Sequence, residues 1–248
     1  MRHGEVRRVG AATVTCGLLL AALAACGGSG AEHGRGGSAG AGAEGGVVPS
    51  MSTAAATDLP GVGKRLQGRI PAESRQVVAV YGEGKDSADA TVVFYAKRGP
   101  TWEPVQSWPG HNGKKGWTAD HHLGDNRSPV GVFTLTAAGG VLDDPGARLP
   151  YTQSEDFGAP HWWDRSHWHD FDYVIAIDYN RVKGTPPDDP TQPEGEEKGG
   201  GIWLHMDHGS GTSACVSLSK TAMEYLLRTL DPDQHPVVLM GDRVALKG

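Results

Sequence analysis

Residues 199–220 read GGGIWLHMDHGSGTSACVSLSK, and the way this stretch is parsed decides the architecture. Ile202 to Met206 form a short apolar run bounded by glycines, too short for a helix and of strand composition. A Gly-rich turn follows, and Cys215 then stands on a tight segment leading into a helix. In SLSKTAMEYLLRTLDP (217–232), Met223, Leu226, Leu227 and Leu230 recur at the i, i+3, i+4, i+7 spacing of one helical face. Ser219 is placed to cap its start, and Pro232 lies just beyond its end. A strand, a turn and a return strand would bring His205 and Cys215 side by side.

Outward from this stretch, further short apolar runs alternate with Gly, Pro and Asn/Asp punctuation. RQVVAVYG (75–82), ATVVFYAKRG (90–99), VGVFTLT (130–136), DYVIAIDYN (172–180) and HPVVLMGD (235–242) have the length and the β-branched or aromatic content of strands. The expected fold is mainly β with a few short helices. The tract GTPPDDPTQPEGEEKGG (184–200) reads as an exposed, mobile loop, and no internal repeat is present.

The first residues, MRHGEVRRVG, are basic, and AATVTCGLLLAALAA (11–25) is apolar over the length of a secretory signal but too short to span a bilayer. Residues 1–25 are therefore read as a signal peptide. Leu23, Ala24, Ala25 and Cys26, followed by Gly27, resemble the lipobox of bacterial lipoproteins, which implies a lipid-bearing Cys26 at the mature N-terminus. Residues 26–60 are mostly Gly, Ala and Ser and read as a flexible tether, leaving 61–248 as one folded domain. With 23 basic against 29 acidic residues and no basic stripe, nucleic acid is not expected as a partner.

Of three cysteines, Cys16 falls in the signal and Cys26 at the anchor, so Cys215 stands alone in the domain. It is either a buried packing residue or a reactive thiol. A thiol needs a base to become a nucleophile near neutral pH, and His205 at a strand end is the candidate. Thr212, Ser213 and Ala214 are small enough to let backbone N–H groups face a developing oxyanion.

The segment resembles the catalytic motif of the L,D-transpeptidase (YkuD) family: a histidine at a strand end, then Ser/Thr-x-Gly-Cys-Ile/Val and a polar residue. His205, Thr212, Cys215, Val216 and Ser217 match it, and Ala214 stands where the family usually has glycine. HHLGDNRSPVGVFTL (121–135) resembles the family's upstream signature through Gly124, Asp125, Ser128, Pro129, Gly131 and Phe133. DYVIAIDYN, ending at Asn180, is similar to the strand before the histidine. The resemblance implies an L,D-transpeptidase-like β-sandwich or barrel.

It also implies a peptidoglycan L,D-transpeptidase with Cys215 as nucleophile and His205 as base, and the lipobox-like segment implies that it is lipid-anchored outside the cytoplasm. The oxyanion hole would be the N–H groups of Ala214 and Cys215. Thr212, Ser213, Ser217 and Trp163 would bind substrate or support the motif. The partners implied are stem peptides and, through Cys26, a membrane. An L,D-carboxypeptidase differs only in its acceptor, and a non-catalytic wall- or metal-binding lipoprotein would use Cys215 for packing alone.

Asp207 lies too close in an extended segment to orient His205. His205, Asp207, His208, the His121–His122 pair and HWWDRSHWHD (161–170) fit no metal signature of defined spacing, so no metal and no cofactor are expected. His205 rather than His208 is expected to serve Cys215. Trp162, Trp163 and Trp168 read either as core or as a lid over the cleft.

Overall fold

A computed structural model describes residues 56–248. The expected signal peptide, Cys26 and the expected tether up to residue 55 lie outside the described residues. In chain order the elements begin with α1 (Lys64–Gln67), β1 (Gln76–Gly82), β2 (Asp89–Arg98), β3 (Thr101–His111), β4 (Trp117–Thr118) and β5 (Ser128–Pro129). Then come β6 (Gly131–Gly140), β7 (Tyr151–Gln153), β8 (Val174–Ile177), β9 (Trp203–Met206) and β10 (Val216–Leu218). The chain ends with α2 (Lys220–Thr229), β11 (Val237–Asp242) and α3 (Arg243–Lys247).

Strands run in the order β11, β1, β2, β3, β10, β9, β8, β6, and β6 pairs back onto β11, which closes a mixed eight-stranded barrel with β7 appended to β6. Closure removes the free edges that a sheet of this size would otherwise present to other chains. β1 shows why the continuous apolar run at 76–82 is a strand and not a helix. Val78 and Val80 enter one core with Phe94, Ile175, Leu204 and Leu218, while Val77, Ala79 and Tyr81 enter a second with Leu59, Trp102 and Leu246. A strand buried on both faces needs no polar alternation.

α2 forms where its periodicity places it. Ser219 Oγ accepts the N–H of Ala222, and Met223, Leu226, Leu227 and Leu230 are all fully buried in the first core. Truncating one of these leucines to alanine costs about 2–5 kcal/mol. Among the described residues, no helix is long and apolar enough to cross a membrane.

Three expectations need correction. β9 and β10 are parallel neighbours, with Leu204 opposite Val216 and His205 opposite Ser217, so Cys215 does not arrive on a hairpin return. The connecting loop doubles back across the sheet end, and Asp207 N–H donates to Leu218 O at 2.8 Å to fix it.

The 184–200 loop has no strand, as expected, yet it is laced to the body. Asn180 Nδ2 donates to Gly195 O and Gly199 O, and Tyr179 Oη donates to Lys198 O. Finally, residues 56–60, read as the end of the tether, are docked. Leu59 is buried, Trp102 N–H donates to Ala56 O, and Tyr81 Oη donates to Pro60 O.

Candidate active site

The parallel β9–β10 pair sorts side chains by parity. Leu204, Val216 and Leu218 are fully buried in the core. Trp203, His205 and Cys215 face the other way, into a cleft of about 650 Å³. Cys215 immediately precedes β10, so its neighbour across the pair is Trp203, and His205 is the next residue up the same face. The segment 163–171, clipped to the end of β9, also lines the cleft through Trp163, His167, Asp170 and Phe171.

His205 is held in one tautomer. Its Nδ1 lies 2.7 Å from the carbonyl oxygen of Met206. A carbonyl can only accept, so the proton sits on Nδ1 and Nε2 presents a lone pair. The side chain is almost wholly buried, beside the Phe171 ring at 5.3 Å. Burial drives its pKa below the usual imidazole value, and the Met206 hydrogen bond and the carboxylate of Asp170 only partly oppose this. His205 is thus a neutral imidazole at rest, and among the described residues no carboxylate is hydrogen-bonded to its ring. Asp207 faces elsewhere: its Oδ1 accepts from Ser217 Oγ at 2.6 Å and lies 2.7 Å from His111 Nδ1.

The Cys215 thiol opens partly onto the cleft but is otherwise ringed by protein. Burial pushes its pKa up to about 11, against the N–H of Trp203, which lies 3.4 Å from Sγ and favours the thiolate. Sγ is also 3.7 Å from the carbonyl oxygen of Gly201. The resting pair is therefore thiol and neutral imidazole. At pH 7 only about one thiol in ten thousand would ionise unaided.

The loop that carries the thiol is braced by both motifs read from sequence. Thr212 Oγ1 donates to Cys215 O at 2.7 Å. Fully buried Ser128 donates to Ala214 O at 2.6 Å and accepts the N–H of Gly113 at 2.8 Å. Ala214 keeps an ordinary backbone conformation, because the non-glycine residues with positive φ among those described are Asn126, Asn180 and His235. No turn or loop hydrogen bond among the described residues consumes the N–H of Ala214 or Cys215. Neither amide is spent on such a bond, and of the two residues Cys215 lines the cleft while Ala214 packs against the core.

Of the residues singled out in the sequence, His205, Cys215, Thr212, Ser213 and Trp163 line the cleft. Ser217 does not; it is fully buried and spends its hydroxyl on Asp207. His121 packs away from the cleft against Tyr179, beside Asp125. His208 lies against Asp170, whose Oδ2 is 3.0 Å from its Nδ1. Sequence reasoning passed over Asp170, His167 and Phe171 as individual residues. Their only signal was the aromatic and histidine density of 161–170.

Comparison with known proteins follows the same region. The model of the YkuD family, described as the L,D-transpeptidase catalytic domain, matches residues 80–244. No curated protein matches the chain in sequence. Among solved structures, that of Bd1075 from Bdellovibrio bacteriovorus is similar over 67% of this chain and 48% of its own, with 16% identity and a TM-score of 0.38. The chain thus spans about half the length of that protein.

Proposed function

We propose, from the premise that this chain belongs to the L,D-transpeptidase catalytic-domain (YkuD) family, that it crosslinks peptidoglycan stem peptides through a Cys215 acyl-enzyme. The observation that carries this reading is the His205 tautomer. With Nδ1–H fixed on Met206 O, Nε2 is left as an acceptor, and His205 and Cys215 line one cleft.

The reaction runs in two halves. As Sγ of Cys215 attacks the carbonyl carbon of the L,D peptide bond in a stem tetrapeptide, its proton passes to His205 Nε2. The N–H groups of Ala214 and Cys215 receive the developing oxyanion, and one such donor is typically worth about 10²–10³ in rate. The C–N bond breaks, the departing D-alanine nitrogen takes the proton from Nε2, and a thioester remains on Cys215. An amine of a second stem attacks the thioester and gives its proton to Nε2. Collapse returns that proton to sulfur, leaving a new amide crosslink. Thr212 and Ser128 hold the loop carbonyls that aim the two amides, and Trp163 and Ser213 line the donor's path.

The working address belongs to the same proposal. Residues 1–25 act as a signal, Cys26 bears the lipid anchor, and the stretch from 26 to 55 lets the domain, which takes in the docked residues 56–60, reach the wall outside the membrane. The lipobox-like Leu23–Cys26 supports this part. Loss of labelling by a fatty-acid probe in Cys26→Ser checks it.

Incubation with disaccharide-tetrapeptides, read by mass spectrometry, tests the activity. Crosslinked dimers with release of D-alanine are expected. Release of D-alanine without dimers would replace crosslinking with hydrolysis, and an unmodified Cys215 would remove the enzyme reading altogether.

A further inference from the structure

We propose that His167, Asp170 and His208 form a binding site for a first-row divalent cation, zinc by preference, in the wall of the Cys215 cleft. Each offers one donor atom, and the three atoms lie within 4.8 Å of one another. The Nδ1 atoms of His167 and His208 lie 2.9 and 3.0 Å from the same carboxylate oxygen, Asp170 Oδ2.

His167 Nδ1 and Asp170 Oδ2 share a hydrogen bond at 2.9 Å, and two further features leave an ion to complete the cluster. The first is the state of His208. Its side chain is only 5% exposed, and among the described residues its Nδ1 has no hydrogen-bond partner despite standing 3.0 Å from Oδ2. Atoms that ligate a common centre crowd one another in this way while aiming past each other. The second is Asp170, only 3% exposed and paired with no Lys or Arg among the described residues. A buried carboxylate of this kind calls for a positive charge.

The ligands are also held in place before any ion arrives. Asp170 O accepts the N–H of Met206 at 2.9 Å, which clips the 163–171 wall onto the end of β9, two residues before His208. Asp170 N–H donates to His167 O at 3.1 Å, and Asp164 caps the turn that carries His167. Two imidazoles and one carboxylate suit zinc and its first-row neighbours and not calcium or magnesium, which take oxygen shells. Three protein ligands leave a coordination position, and all three residues line the cleft. His208 stacks on His205 at 6.3 Å between ring centroids, so the ion would sit beside the base without replacing it.

This site stands apart from the acyl-transfer reading, and its test needs no turnover. Zn²⁺ alone is titrated calorimetrically into the purified full chain and its variants. Wild type is expected to bind one ion at least tenfold more tightly than His167→Ala or Asp170→Asn, while Cys215→Ala binds as wild type does. Absorption spectroscopy of the zinc edge should show nitrogen and oxygen neighbours at about 2.0–2.1 Å and no sulfur at about 2.3 Å. His167, a third exposed, supplies a variant whose fold survives if Asp170→Asn does not. Equal affinity in wild type and His167→Ala overturns the proposal, as does loss of binding in Cys215→Ala or a sulfur in the zinc shell.

Discussion

Ser128 Oγ donates to the carbonyl oxygen of Ala214 at 2.6 Å, across 86 residues of sequence. This one bond joins the upstream signature to the residue before Cys215, and the Ser128 hydroxyl oxygen in turn accepts the N–H of Gly113. Ser128→Ala would strand both groups in a fully buried place, at a cost of about 1–3 kcal/mol. Acylation is expected to slow about tenfold to a hundredfold as the Ala214 and Cys215 amides lose their aim. Pre-steady-state acylation and thermal unfolding, measured together, separate the two effects; an unchanged acylation rate would show that the loop needs no brace.

Cys215→Ala exchanges a thiol for a methyl and leaves the packing nearly as it was. Acyl-enzyme formation should vanish from intact-mass spectra, with a stability change of no more than about 1 kcal/mol near neutral pH. An acyl adduct surviving in this variant would assign the nucleophile elsewhere.

How far the sequence alone reached follows from the range of the interactions involved. The runs at 76–82 and 237–242 were legible because burial on both faces leaves an unbroken apolar signature. The strand at 101–111 was not, since Pro104 and Pro109 break the pattern. It survives as a strand by pairing with β2 across a register shift at Phe94/Tyr95. His205 and Cys215 were found through local motif spacing. The closeness of Asp170 to His208 depends on the clip between Met206 and Asp170, a long-range bond that no local pattern encodes. The parallel β9–β10 pairing was missed for a related reason, because a short loop between two strands reads by default as a hairpin.

Stability should fall on both sides of neutrality, from two different groups. His205 is held below the ordinary imidazole value of 6.5, so under that pH the unfolded chain binds more protons than the native one. Stability then drops as the medium is acidified. Cys215 is raised from 9.0 to about 11, so between those values the unfolded chain has lost a proton that the native chain keeps. Stability then drops as pH rises, by at most about 3 kcal/mol from this group. Denaturant unfolding of wild type and Cys215→Ala at pH 8 and 10.5 isolates the thiol. The alkaline loss should be smaller in the variant, and identical losses would show that the thiol is not raised.

Ala214 stands at the glycine position of the motif that the segment resembles, and its effect on the proposed oxyanion hole turns on backbone conformation. A positive φ would have meant strain of about 1–3 kcal/mol, with glycine relieving it and speeding acylation. Ala214 has no positive φ, and its methyl packs against the core cluster that includes Leu218 and Met223. Ala214→Gly therefore has no strain to relieve. It widens the conformations open to the unfolded chain and removes a packed methyl, which predicts a stability loss of about 0.5–1 kcal/mol. The acylation rate should stay within about threefold of wild type, because Ser128 and Thr212 still hold the carbonyls of residues 214 and 215. Acylation of the two proteins by the same tetrapeptide donor decides it. A tenfold gain would mean that the methyl crowds the oxyanion, and a tenfold loss would mean that it is the methyl, more than the two hydroxyls, that keeps the amides aimed.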